Sequence, residues 1–200
     1  MKIKSTILKI CILLLFVMAV TSVAAAYNIT NSQGYMEVFP TSKVLVEYGS
    51  LASSQRPVAE KSMATWNNVG AKVRLETRPY NATGHIKIQM SSSPLGVNII
   101  ARETRTQGKY NSTINRIEKV NSVINLNGFS FYFSATSPMP KNYIDLESVL
   151  THELGHSLGL GHDNTKKTAT MYEHTSPNDT SKRSLEADDR EGLIKLYGRR

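Results

Sequence analysis

The sequence predicts an α+β fold, a twisted mixed sheet with helices packed on it, and three observations carry that prediction. Several short stretches alternate apolar and polar residues or concentrate β-branched and aromatic ones, as strands do. Residues 53–68, a stretch opening at Asp145 and residues 184–198 instead space their apolar residues as helices do. No internal repeat or low-complexity linker separates these stretches, and 200 residues suit one domain with a substantial core.

The first 26 residues stand outside that fold. Lys2, Lys4 and Lys9 make a basic start, residues 10–20 are an unbroken apolar run, and Ala24-Ala25-Ala26 offers a cleavage site before Tyr27. The run is shorter than the ~20 residues of a membrane span, so it reads as a secretory signal peptide. The expected organisation is a leader at 1–26 and one domain at 27–200, secreted or extracellular, with no stable membrane insertion once the leader is cleaved. A retained leader would hold the protein at the cell surface. The sole cysteine, Cys11, falls in the leader, and an exported chain without disulfides suits a prokaryotic source. The formal charge of +8 falls to +5 when the three leader lysines leave, and with no basic stripe a nucleic-acid partner is not expected. Sequons at Asn28, Asn81, Asn111 and Asn178 are candidates for glycosylation.

Beyond Tyr27 each element has a local reason. Residues 43–48 (K-V-L-V-E-Y) read as a first strand, and residues 53–68 as a helix with Pro57 in its first turn and Ala59, Met63 and Trp66 near one face. Residues 72–78 set Val73 and Leu75 against charged neighbours, and residues 85–90 turn Ile86, Ile88 and Met90 inward. His85, without ligand neighbours, is an ordinary strand-edge histidine. Residues 97–106 and 114–126 are two more strands, expected to join at a turn around Gly108. The first has the look of an exposed edge, to which an extended peptide can add through main-chain hydrogen bonds. Residues 128–141 are irregular, and Phe129, Phe131, Tyr132 and Phe133 in them either cover the core or line a subsite. Asp145 is a suitable N-cap for the next helix, with Glu147 in its first turn. Leu146, Leu150, Leu154 and Leu158 recur every four residues there and are expected to pack on the sheet. Leu185, Leu193 and Leu196 mark a C-terminal helix docked on the core.

The chemistry lies where that middle helix ends. Residues 152–162 read H-E-x-x-H-x-x-G-x-x-H. His152 and His156, four apart on a helix, aim two imidazoles at one ion. Gly159 takes φ > 0 cheaply, ends the helix and turns the chain back so that His162 closes the triangle. Three neutral imidazoles with a fourth position open make a catalytic zinc site and not a closed structural one. Glu153, too far round to ligate, is placed to hold a water on the ion. Met171 follows in Ala169-Thr170-Met171-Tyr172, where an apolar turn passes beneath the metal.

With these residues the chain resembles the matrixins, the matrix-metalloproteinase branch of the metzincin zinc peptidases. The likeness extends to Ala64-Thr65-Trp66, His85-Ile86-Lys87-Ile88, Ile144-Asp145-Leu146, Met171-Tyr172, and the ending Leu185, Asp188-Asp189, Gly192 and Leu196-Tyr197-Gly198. It implies a metzincin fold with an active-site helix, a second long helix and a C-terminal helix. It further implies His152, His156 and His162 as zinc ligands, Glu153 as the general base that takes a proton from the attacking water, and Met171 as the Met-turn. Asp188 and Asp189 match the family's acidic pair, which ties down the start of the domain. The implied activity is endopeptidase cleavage of extended polypeptides by a monomer. The competing reading is a non-catalytic peptide-binding protein that keeps the fold. Three departures accompany the likeness. Asp163 replaces a serine, Glu173-His174-Thr175 replaces a Pro-x-Tyr wall of the specificity pocket, and the histidines of the family's second zinc site are lacking. Calcium is a further candidate ion, though carboxylates are few before Ile114. The stretch from Tyr27 to His152 is about as long as the catalytic domain needs, so no cysteine-bearing prodomain is expected.

Overall fold

The computed structural model of the protein describes residues 28–32, 34–79 and 82–200. The leader at 1–26 with Cys11, and the sequon at Asn81, lie outside the described residues. Strands β1 (Asn31–Ser32), β2 (Tyr35–Val38), β3 (Lys43–Tyr48), β4 (Arg74–Thr77), β5 (Ile86–Met90), β6 (Ala101–Asn111) and β7 (Arg116–Leu126) form one mixed sheet. Its order is β1-β2-β7-β5-β3-β4, with β6 also paired to β7. The β2/β7, β5/β7, β3/β5 and β3/β4 pairs are parallel, whereas β1/β2 and β6/β7 are antiparallel. Long β7 takes β2 along its start and β5 along its end, which leaves its other side to β6. A short parallel pair, β8 (Phe133–Ser134) and β9 (Ile144–Asp145), leads into the active-site helix.

Three helices complete the layers: α1 (Arg56–Asn67), α2 (Leu146–Leu158) and α3 (Ala187–Tyr197). Leu146, Leu150, Leu154 and Leu158 are wholly buried, as their four-residue recurrence requires, in one cluster with Val44, Val46, Ile86, Ile88, Ile124 and Leu126 of the sheet. Trp66 of α1 is buried in the same cluster and donates its Nε1–H to Thr151 O at 2.8 Å, so the indole both fills the core and satisfies its donor. Helix α1 and helix α2 are further joined by Ser62 Oγ, which donates to Glu147 O at 3.1 Å.

The structure departs from the sequence reading at the β6–β7 hairpin. The turn runs through residues 112–115, with Asn115 at φ 53°, and Gly108 lies inside β6 where the register slips between Gln107 and Tyr110. A Cβ at position 108 would stand 2.7 Å from Glu118 O, so this glycine serves a close backbone approach at a strand irregularity. The edge strand accordingly begins at Ala101 and runs to Asn111. The aromatic stretch resolves toward the core: Phe131 and Phe133 pack against it, while Phe129 and Tyr132 face solvent. His85 Nδ1 accepts the amide of Leu45 at 2.9 Å, which ties β3 to the head of β5.

Candidate zinc site and active-site cleft

Helix α2 is built to present its histidines at a defined angle. Asp145 caps it by accepting the Ser148 amide at 2.9 Å, and Arg183 grips the same carboxylate through Nε at 2.8 Å and NH2 at 2.6 Å. Burial pushes the Asp145 carboxyl up, but the hydrogen bonds from Arg183 and Ser148 together hold it below the ordinary aspartate range. At the other end Gly159 stands at φ 110°, and its backbone N–H closes on His156 O. A Cβ there would meet Glu37 O at 2.5 Å, so both the turn and the neighbouring strand demand glycine. Gly155, inside the helix, has a separate reason: a Cβ would lie 2.4 Å from Met171 Sδ and 2.9 Å from Trp66 Cζ2.

The three sequence-predicted ligands converge. His156 Nε2 lies 3.1 Å from His152 Nε2 and 3.1 Å from His162 Nε2. Tetrahedral zinc with Zn–N near 2.05 Å places its nitrogen ligands roughly 3.3 Å apart, close to the observed spacing. Nδ1 of His152 donates to Thr170 O at 2.7 Å and Nδ1 of His156 to Leu160 O at 2.8 Å. A proton on each Nδ1 leaves each Nε2 bare, and bare lone pairs facing one another at this distance need a cation between them. The imidazoles are also held neutral. Burial first, then the neighbouring histidine and Lys182, push His152 well below its usual value, and burial takes His156 down to about 3. His162 is lowered chiefly by burial. The donor set therefore fits zinc.

Past His162, the Asp163 N–H donates to Met171 O at 2.9 Å while its Oδ1 accepts from Thr165 N at 2.9 Å and Thr165 Oγ1 at 2.6 Å, and the buried Met171 packs toward Gly155 of α2. Asp189 of α3 holds the same segment by accepting the amides of Thr170 at 3.0 Å and Met171 at 3.3 Å. Asp188 and Asp189 line a small cavity with Asp163, Met171 and Asn28. Residues 28–30 are tied to the ligand turn, with Thr30 N donating to Gly159 O at 2.9 Å and Gly161 N to Asn28 O at 2.8 Å.

Glu153 is buried beside the ligands, and its Oε2 has no partner among the described residues. Burial, reinforced by the charge of Glu103, pushes its carboxyl up to about 8. A dication on the imidazoles acts in the opposite sense. A cavity of about 430 Å³ opens in front of it, bounded by His152, Glu153 and His162, by residues 98–101 at the start of the edge strand, and by Glu173, His174, Thr175 and Lys182.

The comparisons with known proteins bear on this geometry. A sequence model of the matrixin family matches residues 51–198. The chain belongs to the matrixins. Membership places it in a family of zinc metalloendopeptidases. Among curated relatives it is similar to Metalloendoproteinase 1-MMP of Arabidopsis thaliana, with 53% identity over 55 residues, 28% of this chain and 15% of that protein. It is similar also to Metalloendoproteinase 1 of Glycine max, with 44% identity over 71 residues, 34% and 23% of the two chains. Matrilysin of Homo sapiens is 48% identical over 50 residues, 25% and 18% of the two chains. Each match thus spans under a quarter of the relative's length.

Two lysines of this matrixin that the motif does not contain belong to the site's surroundings. Lys119 of β7 is almost fully enclosed and donates to His156 O at 3.0 Å and Ser157 O at 2.9 Å, carbonyls of the last helical turn, of which His156 O also accepts from Gly159 N. Burial pushes its ammonium down to about 8, and the carboxylates of Glu103 and Glu37 oppose that push. Arg105 pairs with Glu37 at 2.6 Å and Glu103 at 2.8 Å, so a four-charge cluster backs the helix end. A sequence signal for Lys119 existed: it occupies an inward position of an alternating strand, where a charge requires partners. Lys182, in the cleft, had no such signal.

Proposed function

We propose that this matrixin is an exported zinc-dependent endopeptidase that hydrolyses peptide bonds in extended polypeptides. The observation that carries the reading is the convergence of three Nε2 atoms beside a buried carboxylate whose Oε2 has no partner among the described residues, on one cavity wall. His152, His156 and His162 are the zinc ligands, and Met171 is the apolar floor under them. When bound, zinc supplies a Lewis acid that polarises the scissile carbonyl and makes water a competent nucleophile near neutral pH.

The protein's own groups do the rest. Glu153 Oε2 takes the proton from the attacking water and passes it to the departing amine, which leaves neutral. Thr170 O and Leu160 O fix the tautomers of His152 and His156 so that neither of their ligand nitrogens carries the proton. Exposed β6 offers an edge along which a substrate adds as a further strand, with Ala101 at the cavity rim. Residues 1–26 act as the export leader and residues 27–200 as one catalytic domain; the basic start, short apolar run and Ala-rich site support this, and no described helix is long and apolar enough to cross a membrane.

The test is zinc content and cleavage of an unfolded protein substrate by the purified exported protein beside Glu153→Ala. One zinc per chain in both, with cleavage lost only in the variant, is the expected outcome. Zinc without cleavage of any substrate in either would favour a peptide-binding protein that keeps the fold, and absence of zinc would end the proposal.

A further inference from the structure

The cavity beside Glu153 contains a cation that no carboxylate among the described residues pairs with directly. Lys182, in the short 3-10 turn Ser181–Arg183, is 3% exposed and lines the cavity with His152, Glu153, His174 and Thr175. Its Nζ donates to Tyr172 O and lies 5.9 Å from the centroid of the Tyr172 ring. An ammonium has three donors, and among the described residues Tyr172 O is its one hydrogen-bond partner. No carboxylate among the described residues reaches it within ion-pair distance, although Arg183 next to it is fully engaged by Asp145. Glu173, on the same cavity wall, is exposed and accepts from Asn164 Nδ2 at 3.0 Å. Asp179, Glu153, Asp189 and Glu173 act on Lys182 only as more distant charges.

A desolvated cation with free donors is costly unless something pairs with it. The cavity that contains it opens onto the reacting centre, and its volume of about 430 Å³ admits a side chain of ordinary size. A peptide paired along β6 with a carbonyl at the ligand cluster sends an adjacent side chain into this cavity, because successive strand residues point to opposite faces. We propose that Lys182 makes this cavity a receptor for an acidic side chain, so that the enzyme selects substrates with Glu or Asp flanking the scissile bond. The carboxylate supplies the acceptor that Nζ lacks and forms a charge-assisted hydrogen bond out of water. This rests on the endopeptidase reading for its cleavage arm, but not for its binding arm.

The experiment uses one peptide sequence with Glu, Gln, Leu or Lys at each position flanking the cleaved bond. In the zinc-loaded wild type, kcat/KM for Glu over Gln is expected to reach about tenfold or more at one flanking position, the worth of a hydrogen bond to a charged group. In Lys182→Met the ratio falls to near one and the Leu peptide gains, whereas Lys182→Arg keeps a preference for Glu. In parallel, binding of the uncleaved Glu and Gln peptides to Glu153→Ala is followed by fluorescence anisotropy. The same preference is expected there, lost in the Glu153→Ala, Lys182→Met double variant. A wild-type ratio within about twofold of one at both positions, or one that Lys182→Met leaves unchanged, overturns the assignment. If no peptide is cleaved but the binding preference and its loss are seen, the receptor stands and the endopeptidase reading falls.

Discussion

At its N-terminal end α2 is secured by Asp145, whose carboxylate accepts from Ser148 N and is clasped by Arg183. At its C-terminal end it is secured by Lys119, whose ammonium caps His156 O and Ser157 O. Both charges complement the helix dipole, an anion at the positive end and a cation at the negative end. They differ in their surroundings. Arg183 is 35% exposed, so water and salt compete for the first pair, while Lys119 is 2% exposed and compensated by the wholly buried Glu37 and by Glu103, with Arg105 of the same cluster 28% exposed. The end that carries His156 and leads to His162 is therefore fixed by an ammonium that solvent barely reaches. The end away from the metal is held by a pair that solvent and acid can weaken. Precision is concentrated where a shift of the helix would separate the ligands.

The largest effect is expected on breaking the buried end. Lys119→Met orphans Ser157 O, takes one of two donors from His156 O and leaves the Glu37 and Glu103 cluster short of a cation, so unfolding stability should drop by about 3–5 kcal/mol, read from the denaturant midpoint. Zinc affinity should fall with it, because the turn to His162 loses its anchor; an unchanged midpoint would remove Lys119 from the account. Gly155→Ala tests the middle of the helix, where the new methyl must displace Met171 Sδ or the Trp66 ring. Overpacking of this kind costs about 1–3 kcal/mol, and thermal unfolding of the variant should show it despite the gain in helix propensity. Arg183→Met leaves the buried Asp145 carboxylate with the Ser148 amide alone and should cost about 1–3 kcal/mol, with zinc content at one per chain; a loss as large as that of Lys119→Met would erase the contrast between the ends.

The smallest effect is a pH dependence. The folded-state pKa of Asp145 lies below its ordinary value, since Arg183 and Ser148 outweigh burial. On acidification the unfolded chain therefore takes up this proton first. The stability contributed by the pair is full above about pH 4 and is lost as pH falls through the folded-state value. Denaturant midpoints compared between pH 6 and pH 3 should fall less in Arg183→Met than in the wild type. Equal slopes would show that the clasp does not hold the carboxylate ionised.

Local chemistry was legible in the chain itself. Strand β3 occupies residues 43–48 because β-branched and aromatic residues crowd there, and α2 starts after Asp145 because an N-cap precedes a four-residue leucine recurrence. The ligand triangle followed from helical spacing and one glycine at φ 110°. The β6–β7 turn was misplaced because Gly108 signals both a turn and a strand irregularity, and only pairing with Glu118 separates the two. The aromatic run at 129–133 was undecided for a similar reason, since burial of a loop depends on what lies beneath it.

What the sequence determined by itself are the features set within a few residues: element types, caps, the reach of His152 and His156 from one helix face, and the reversal at Gly159. Only the tertiary structure decided that Lys119 caps a helix 38 residues away, that Asp189 holds the amides of Thr170 and Met171, that Gly155 makes room for Met171, and that Lys182 lies in the cleft. Those roles are long-range contacts. They carry no periodicity along the chain, because what brings the partners together is the packing of the sheet against α2 and not the spacing of residues within any one element.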